Sequence, residues 1–354
     1  MKLLEEIYAN VERLQIPMNV MLEVTNACNL DCIHCYIKGA VDQFRLNDDN
    51  EELSLGQTER LFDDLVEEGT LNLVFSGGEA FLRPDFLAIL ALAKERYFAT
   101  TIFSNGQCID AQIADRLAGI RPVCVYFSIY GANAAIHERV TGVRGSFEKL
   151  LAAIALLRER GIAVGLKTMV MKDNLPQVKD IFALGRSLGI DQHEFGEEIS
   201  AKIDGSCEPK KMQLDNSLLG VYYRGDTPQL PEYREELSLE DTFKKPLCGA
   251  GIIGACISCY GDVYPCGEWR DPVGNIKQDS FRSIWRKKEG LLAELRAIKE
   301  YGDLEDCRVC GLVGSCRRCP GRAFAETGRW QACYPNAYTR AVLDRKINQE
   351  LEAR

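Results

Sequence analysis

From residue 18 to about residue 200 the chain alternates two kinds of hydrophobic pattern. Short runs rich in β-branched and aromatic residues read as strands: "MNVMLEVT" (18–25), "LNLVFS" (71–76), "ATTIFS" (99–104), "VCVYFSI" (123–129), "IAVGLKTMVM" (162–171) and "DQHEFGEEI" (191–199). Between them lie helical patterns such as "SLGQTERLFDDLVEEG", where Ser54 and Gln57 make a capping box, and "SFEKLLAAIALLRERG", opened by Ser146 and closed by Gly161. Six strand-helix units in succession predict parallel strands joined by right-handed crossovers, with helices outside. A closed eight-unit barrel takes about 250 residues. This pattern stops sooner, so the expected fold is α/β, a partial (β/α)6 TIM-like barrel left open. Chemistry in such a sheet belongs at the carboxyl ends of the strands.

The flanks differ. Residues 1–17 read as an amphipathic N-terminal helix, with acidic residues between Leu3, Leu4, Ile7, Tyr8, Val11 and Leu14, and not as a signal peptide. Residues 201–246 mix prolines with charges of both signs and form a connector. Residues 247–335 are a small cysteine-rich domain with a hairpin turn at Gly261-Asp262 and short helices, and residues 336–354 a C-terminal helix. The chain has no apolar run long enough to span a bilayer, so a membrane is not expected and the location is read as cytoplasmic. A net charge of -9 argues against nucleic acid. With only His34, His137 and His193, histidine acid-base hydrolysis has little material.

Fifteen cysteines in a chain without an export signal point to metal ligation. Cys108, Cys124 and Cys207 stand alone and read as small buried residues. Cys28, Cys32 and Cys35 sit in C-x3-C-x2-C spacing. Three thiolates can hold three irons of a [4Fe-4S] cube and leave the fourth iron open; the alternative is a structural zinc with His34 as fourth ligand. The strand ends add to this. "SGGEA" follows the second strand, where Gly77 and Gly78 let backbone approach a ligand and Glu79 offers a carboxylate to an amine. Ser104-Asn105-Gly106 follows the third, Ser128 ends the fourth and Met169-Val170-Met171 the fifth. All fall at the rim of the cysteine loop.

This combination, C-x3-C-x2-C followed by Tyr36 and then "GGE", resembles the radical S-adenosylmethionine (SAM) enzymes over residues 18 to about 200. The resemblance implies that Cys28, Cys32 and Cys35 bind a [4Fe-4S] cluster whose open iron chelates SAM. Gly77, Gly78 and Glu79 would hold the methionyl amine. Ser104 and Ser128 would lie at the methionyl carboxylate or ribose, Tyr36 and Val170 near the adenine, and Asn105 is a further candidate cofactor contact. The arginine that meets the SAM carboxylate in many relatives is replaced here by Thr141, leaving Arg139, or Arg144, for that role. In this family one electron splits SAM to a 5'-deoxyadenosyl radical that takes hydrogen from a C-H bond.

The later segment contains Gly249, Gly251 and Gly254 in G-x-G-x-x-G spacing, but without the strand and helix of a dinucleotide site. Cys248, Cys266, Cys307, Cys310, Cys316, Cys319 and Cys333 resemble instead the SPASM extension, which implies two auxiliary [4Fe-4S] clusters. Cys248, Cys266 and Cys319 would belong to the first, which Cys256 or Cys259 would complete or which would keep an open iron for substrate, and Cys307, Cys310, Cys316 and Cys333 to the second. Arg317, Arg318 and Arg322 are either cations beside these sulfurs or a solvated loop. Glu194, Glu197 and Glu198 read as a solvated acidic rim or a substrate contact. Glu268, after "YPCG", is the candidate catalytic base.

The resemblance implies an oxidoreductase. The leading reading is oxidative modification or crosslinking of a ribosomally made peptide, with a separate leader-binding protein and an external electron donor such as flavodoxin or ferredoxin. The alternative is dehydrogenation of a small molecule such as a sugar or aminocyclitol.

Overall fold

The computed structural model describes residues 2–39, 51–224 and 238–352; the middle of the expected connector and the last two residues of the C-terminal helix lie outside them. All six expected strands form: β1 Asn19–Thr25, β2 Asn72–Gly77, β3 Ala99–Ser104, β4 Cys124–Ser128, β5 Val164–Met169 and β6 His193–Gly196. Each pairs in parallel with the next, and β6 does not return to β1, so the barrel is open as expected. Among the described residues seven helices precede or separate these strands: α1 Lys2–Leu14, α2 Leu55–Glu67, α3 Phe86–Glu95, α4 Ala111–Ile120, α5 Ala134–Thr141, α6 Ser146–Glu159 and α7 Val178–Ser187.

Local chemistry sets these elements. The Ser54 capping box is formed in both directions, the Ser54 backbone N–H donating to Gln57 Oε1 at 2.8 Å and the Gln57 N–H to Ser54 Oγ at 3.3 Å. For α6 the cap differs from expectation: Gly145, at φ +81°, holds the N-cap position, while Ser146 turns its hydroxyl to Thr141 Oγ1 at 2.8 Å. The strands keep a period of two. Val20, Leu22 and Val24 pack with Phe62, Leu65 and Phe75 in the core under the helices, while Met21 and Glu23 face the other way.

The sheet continues past the six units. β7 Gly254–Ile257 pairs in parallel with the free edge of β1, and β8 Asp262–Tyr264 and β9 Gly274–Asn275 extend it antiparallel, giving nine strands in the order β6-β5-β4-β3-β2-β1-β7-β8-β9. The Gly261-Asp262 turn is present, with Gly261 at φ +94°. The cysteine-rich segment is thus built onto the barrel sheet, and it is stapled there by charge. Arg270 donates to Glu23 Oε2 at 2.9 Å and to Oε1 at 2.6 Å, a bidentate pair in which Glu23 is 3% exposed. The C-terminal helix Pro335–Glu352 closes the chain, and among the described residues no helix is long and apolar enough to cross a membrane.

Removing one partner of such a pair strands the other charge. Arg270→Ala is expected to cost about 3–5 kcal/mol, read as a fall in the urea midpoint, whereas Glu23→Leu combined with Arg270→Met should recover most of it.

Candidate active site

The loop after β1 carries Cys28, Cys32 and Cys35, and neighbouring backbone clamps it from two sides. On one side the Gly78 and Glu79 N–H groups donate to the carbonyls of Thr25 and Ala27, both at 2.8 Å. On the other, Asp31 and Ile33 donate to Thr141 and Val140 at the end of α5. The clamp explains "GGE" differently from the ligand approach expected of its glycines. A Cβ on Gly77, which sits at φ +119°, would lie 2.3 Å from the Thr25 carbonyl oxygen, and one on Gly78 2.2 Å from that of Ala27. The glycines are needed because backbone meets backbone.

Glu79 is fully buried and its oxygens are engaged: Oε1 accepts from Ser104 Oγ at 2.9 Å and the Phe81 N–H at 3.2 Å, and Oε2 from the Asn105 N–H at 2.7 Å. Burial pushes its carboxyl up to about 6, against these hydrogen bonds. It ties the β3 loop to the β2 loop. Ser104, committed to Glu79 and 4% exposed, does not face the cavity described below. Asn105 reaches Asn29 Oδ1 at 2.7 Å and points its amide at Cys28 Sγ, 3.7 Å away. The three loop thiols lie within electrostatic reach of one another, and burial raises that of Cys32 to about 12. Among the described residues no group of three His, Cys, Asp or Glu closes on a single ion.

At this rim a cavity of about 860 Å³ opens. Tyr36, Ser128, Tyr130 and His34 line one part, Met169 and Phe195 the next, and Cys266, Glu268, Arg270 and Arg322 the far end. Tyr36 donates to Glu23 Oε1 at 2.9 Å beneath the Arg270 guanidinium. His34 is an edge-on neighbour of Tyr130, its Nδ1 buried and without a partner, and burial holds it down at about 4. Three further residues assigned to SAM lie outside this cavity. Val170 is fully buried among Val178, Leu214, Leu219 and Tyr222, and Met169 lines the cavity in its stead. Arg139 and Arg144 are exposed and away from the cavity, because α5 turns His137, Val140 and Thr141 inward.

Glu268 reaches the cavity. Ser200 Oγ lies 2.9 and 2.8 Å from its two oxygens and Arg322 Nε 3.2 Å from Oε2; its carboxyl is raised by burial, which outweighs Ser200 and Arg270. Glu197 and Glu198 are not a solvated rim: Arg340 pairs with both, and Arg322 also holds Glu198. Glu194 pairs with Lys167. Ser200 and, from the connector, Lys202, Ile203 and Lys210 contribute to the wall. Sequence reading missed these, and it missed Glu23 with Arg270, although a carboxylate inside an apolar strand is itself a sign of a buried cationic partner.

The C-terminal thiols fall into two sets. Cys266 feels Cys319 and Cys248, and Cys256, buried on β7 opposite Met21, feels Cys266 together with Glu23 and Arg270. Cys307 feels Cys310 and Cys333, and Cys316 feels Cys307 and Cys333. Cys259 is buried and Cys333 exposed. Of the isolated cysteines only Cys124 is buried; Cys207 is exposed, and Cys108 accepts from Asn29 at 3.3 Å.

The Radical SAM superfamily model matches residues 22–184, and the SPASM model, described as an iron-sulfur cluster-binding domain, matches residues 248–320. The chain belongs to the radical SAM enzymes with a C-terminal SPASM domain, and its cofactors are SAM and the iron-sulfur clusters of these two domains. It is 29% identical to an AdoMet-dependent heme synthase of Methanosarcina barkeri, over 88% of this chain and 93% of that protein. It is 25% identical to the antilisterial bacteriocin subtilosin biosynthesis protein AlbA of Bacillus subtilis, over 85% and 67%. The fold is shared with Streptococcus suis SuiB bound to precursor peptide SuiA, at TM-score 0.62 and 18% identity, over 91% and 77%.

The donor set fits such clusters. Trp269 Nε1, Trp330 Nε1 and Arg318 Nε and Nη1 are buried without acceptors, all within the cysteine-rich segment, and both indoles belong to the apolar cluster that contains Cys307 and against which Cys266 packs. Cluster sulfurs are acceptors for donors of this kind. Gly78→Ala is expected to break the loop clamp selectively: iron should fall by about four per chain, one [4Fe-4S] unit, while the C-terminal iron remains.

Proposed function

We propose that this chain takes hydrogen from a substrate C-H bond in the 860 Å³ cavity and oxidises the resulting radical through its C-terminal clusters, modifying a ribosomally made peptide. The observation that carries this reading is the continuity of the cavity from Tyr36, Ser128 and Tyr130 to Cys266 and Glu268. Cys28, Cys32 and Cys35 are the ligands assigned to the SAM-binding cluster. When bound, cluster and SAM together supply a one-electron cleavage that yields a hydrogen-abstracting radical. The Gly77–Glu79 turn would hold the methionyl amine, and Tyr36 and Tyr130 give the cavity apolar walls that exclude water.

Cys248, Cys266 and Cys319, with Cys256 as candidate fourth ligand, are assigned to the first auxiliary cluster, and Cys307, Cys310, Cys316 and Cys333 to the second. When bound, the first auxiliary cluster would supply a one-electron oxidation of substrate beside Cys266, and Glu268 would take the proton released. Burial raises the Glu268 carboxyl, which makes it the better proton acceptor, and Ser200 and Arg322 fix its direction.

The peptide reading is supported by the likeness to AlbA, by the fold shared with peptide-bound SuiB, and by a cavity wall made partly from the open 199–210 segment. A separate small protein then presents the leader, and flavodoxin or ferredoxin delivers electrons. A second reading, a small-molecule substrate, is favoured by the heme synthase likeness over nearly the whole of both chains and by the cavity's apolar lining of Phe103, Tyr130, Phe195 and Phe324.

Protein reconstituted without oxygen is expected to hold about twelve irons with matching sulfide. Zinc in place of iron would sink the radical reading. Release of 5'-deoxyadenosine should rise with a short peptide encoded beside the gene; a rise only with a tetrapyrrole would select the second reading. Glu268→Gln is expected to keep 5'-deoxyadenosine release while lowering oxidised product about 10²-fold.

A further inference from the structure

We infer that Arg318 holds the reduction potential of the Cys307, Cys310, Cys316 and Cys333 cluster above that of the Cys248, Cys266 and Cys319 cluster, so that electrons leaving the cavity run from the first to the second. The inference rests on the proposed assignment of these thiols.

Arg318 is 6% exposed. Its Nη2 donates to the carbonyls of Trp330 and Ala332, the latter at 3.0 Å, while Nε and Nη1 have no partner. No carboxylate pairs with it among the described residues, and its neighbour Arg317 takes Asp344 instead at 3.4 Å. A guanidinium buried without an anion is costly, so the site is built for a negative group. What lies within reach of its charge are the thiols of Cys307, Cys316 and Cys333, three of the four in that set.

A [4Fe-4S] cluster on four thiolates is an anion, and reduction adds one more negative charge. A fixed cation in an apolar surround therefore favours the reduced form and raises the potential. Asp306 also acts on Cys307 and Cys333, but it is exposed and screened by water, whereas the carboxylate at the first set is half-buried. The carboxylate of Glu268 acts on both Cys266 and Cys319, and the guanidiniums beside this set are matched by carboxylates, Arg322 by Glu198 and Glu268 and Arg270, which acts on Cys256, by Glu23. Tyr301, 8% exposed, lies within reach of Cys248 on one side and of Cys307, Cys316 and Arg318 on the other, so the two sets share a wall. One electron accepted at the first cluster reduces it; passed on, it reoxidises the first and reduces the second, which returns it to an external one-electron carrier.

The test is a potentiometric titration followed by electron paramagnetic resonance on the full reconstituted chain. Cys266→Ala and Cys333→Ala, each impairing one auxiliary cluster, assign the signals. In the unmodified chain the second cluster is expected to titrate at the higher potential. Arg318→Met should lower its midpoint by at least the 59 mV that a tenfold change in a one-electron equilibrium represents, leaving the first cluster in place, and Arg318→Lys should restore most of the shift. Full iron with an unmoved midpoint in Arg318→Met would leave Arg318 as a tie for residues 330–332 and overturn the inference. Should Arg318→Met fail to fold, the order of potentials in the unmodified chain decides: a second cluster below the first overturns it. Iron short of three clusters there would instead remove the assignment on which it rests.

Discussion

The bidentate pair between Glu23 and Arg270 is the contact on which the geometry of the site depends. Glu23 stands on β1, the strand whose two edges bond β2 and β7, and Arg270 comes from 247 positions later in the chain. Two buried charges repay their desolvation only with good geometry and further hydrogen bonds, and here both guanidinium bonds and the Tyr36 hydroxyl meet the same carboxylate. Burial alone would raise the Glu23 carboxyl, but Arg270 reverses the sign and it lies below its usual range. The pair fixes where the C-terminal segment sits over the barrel, and with it the place of Cys266 at the far end of the cavity.

A second constraint acts on the cysteine loop. Three sulfurs must present themselves at fixed directions, yet a loop of this kind has little hydrophobic anchoring of its own. The protein holds it by main-chain hydrogen bonds from Gly78 and Glu79 on one side and to Val140 and Thr141 on the other. Gly142, at φ +70°, also packs against Asp31, where a Cβ would come within 2.8 Å of the carbonyl oxygen. Rigidity at the site therefore comes from close backbone contact, which only glycine permits.

Charge is distributed with similar economy around the cavity. Glu197, Glu198 and Glu268 meet Arg322 and Arg340, joining the end of β6 to the C-terminal helices. These ionic groups close one wall of a cavity whose other walls are largely apolar, so a substrate would meet polar side chains at one end and dry walls along the rest.

The six strands, the open barrel, the Ser54 capping box, the Gly261 turn and the two families of cysteine were legible in the sequence because they rest on local periodicity, turn chemistry and spacing. What a side chain does within the rim was legible only in part. "GGE" marked the right turn, but its glycines serve a backbone contact between loops about fifty residues apart, and Glu79 serves Ser104 and Asn105. The burial of Val170 and the exposure of Arg139 were not legible because one step along a strand reverses the face a residue presents, and one step along a helix turns it by about 100°. The pairing of β7 with β1, the partnership of Glu23 with Arg270 and the isolation of Arg318 belong to the tertiary structure alone. They join residues with no common local pattern, and only packing decides which charges are buried together and which is left without a partner.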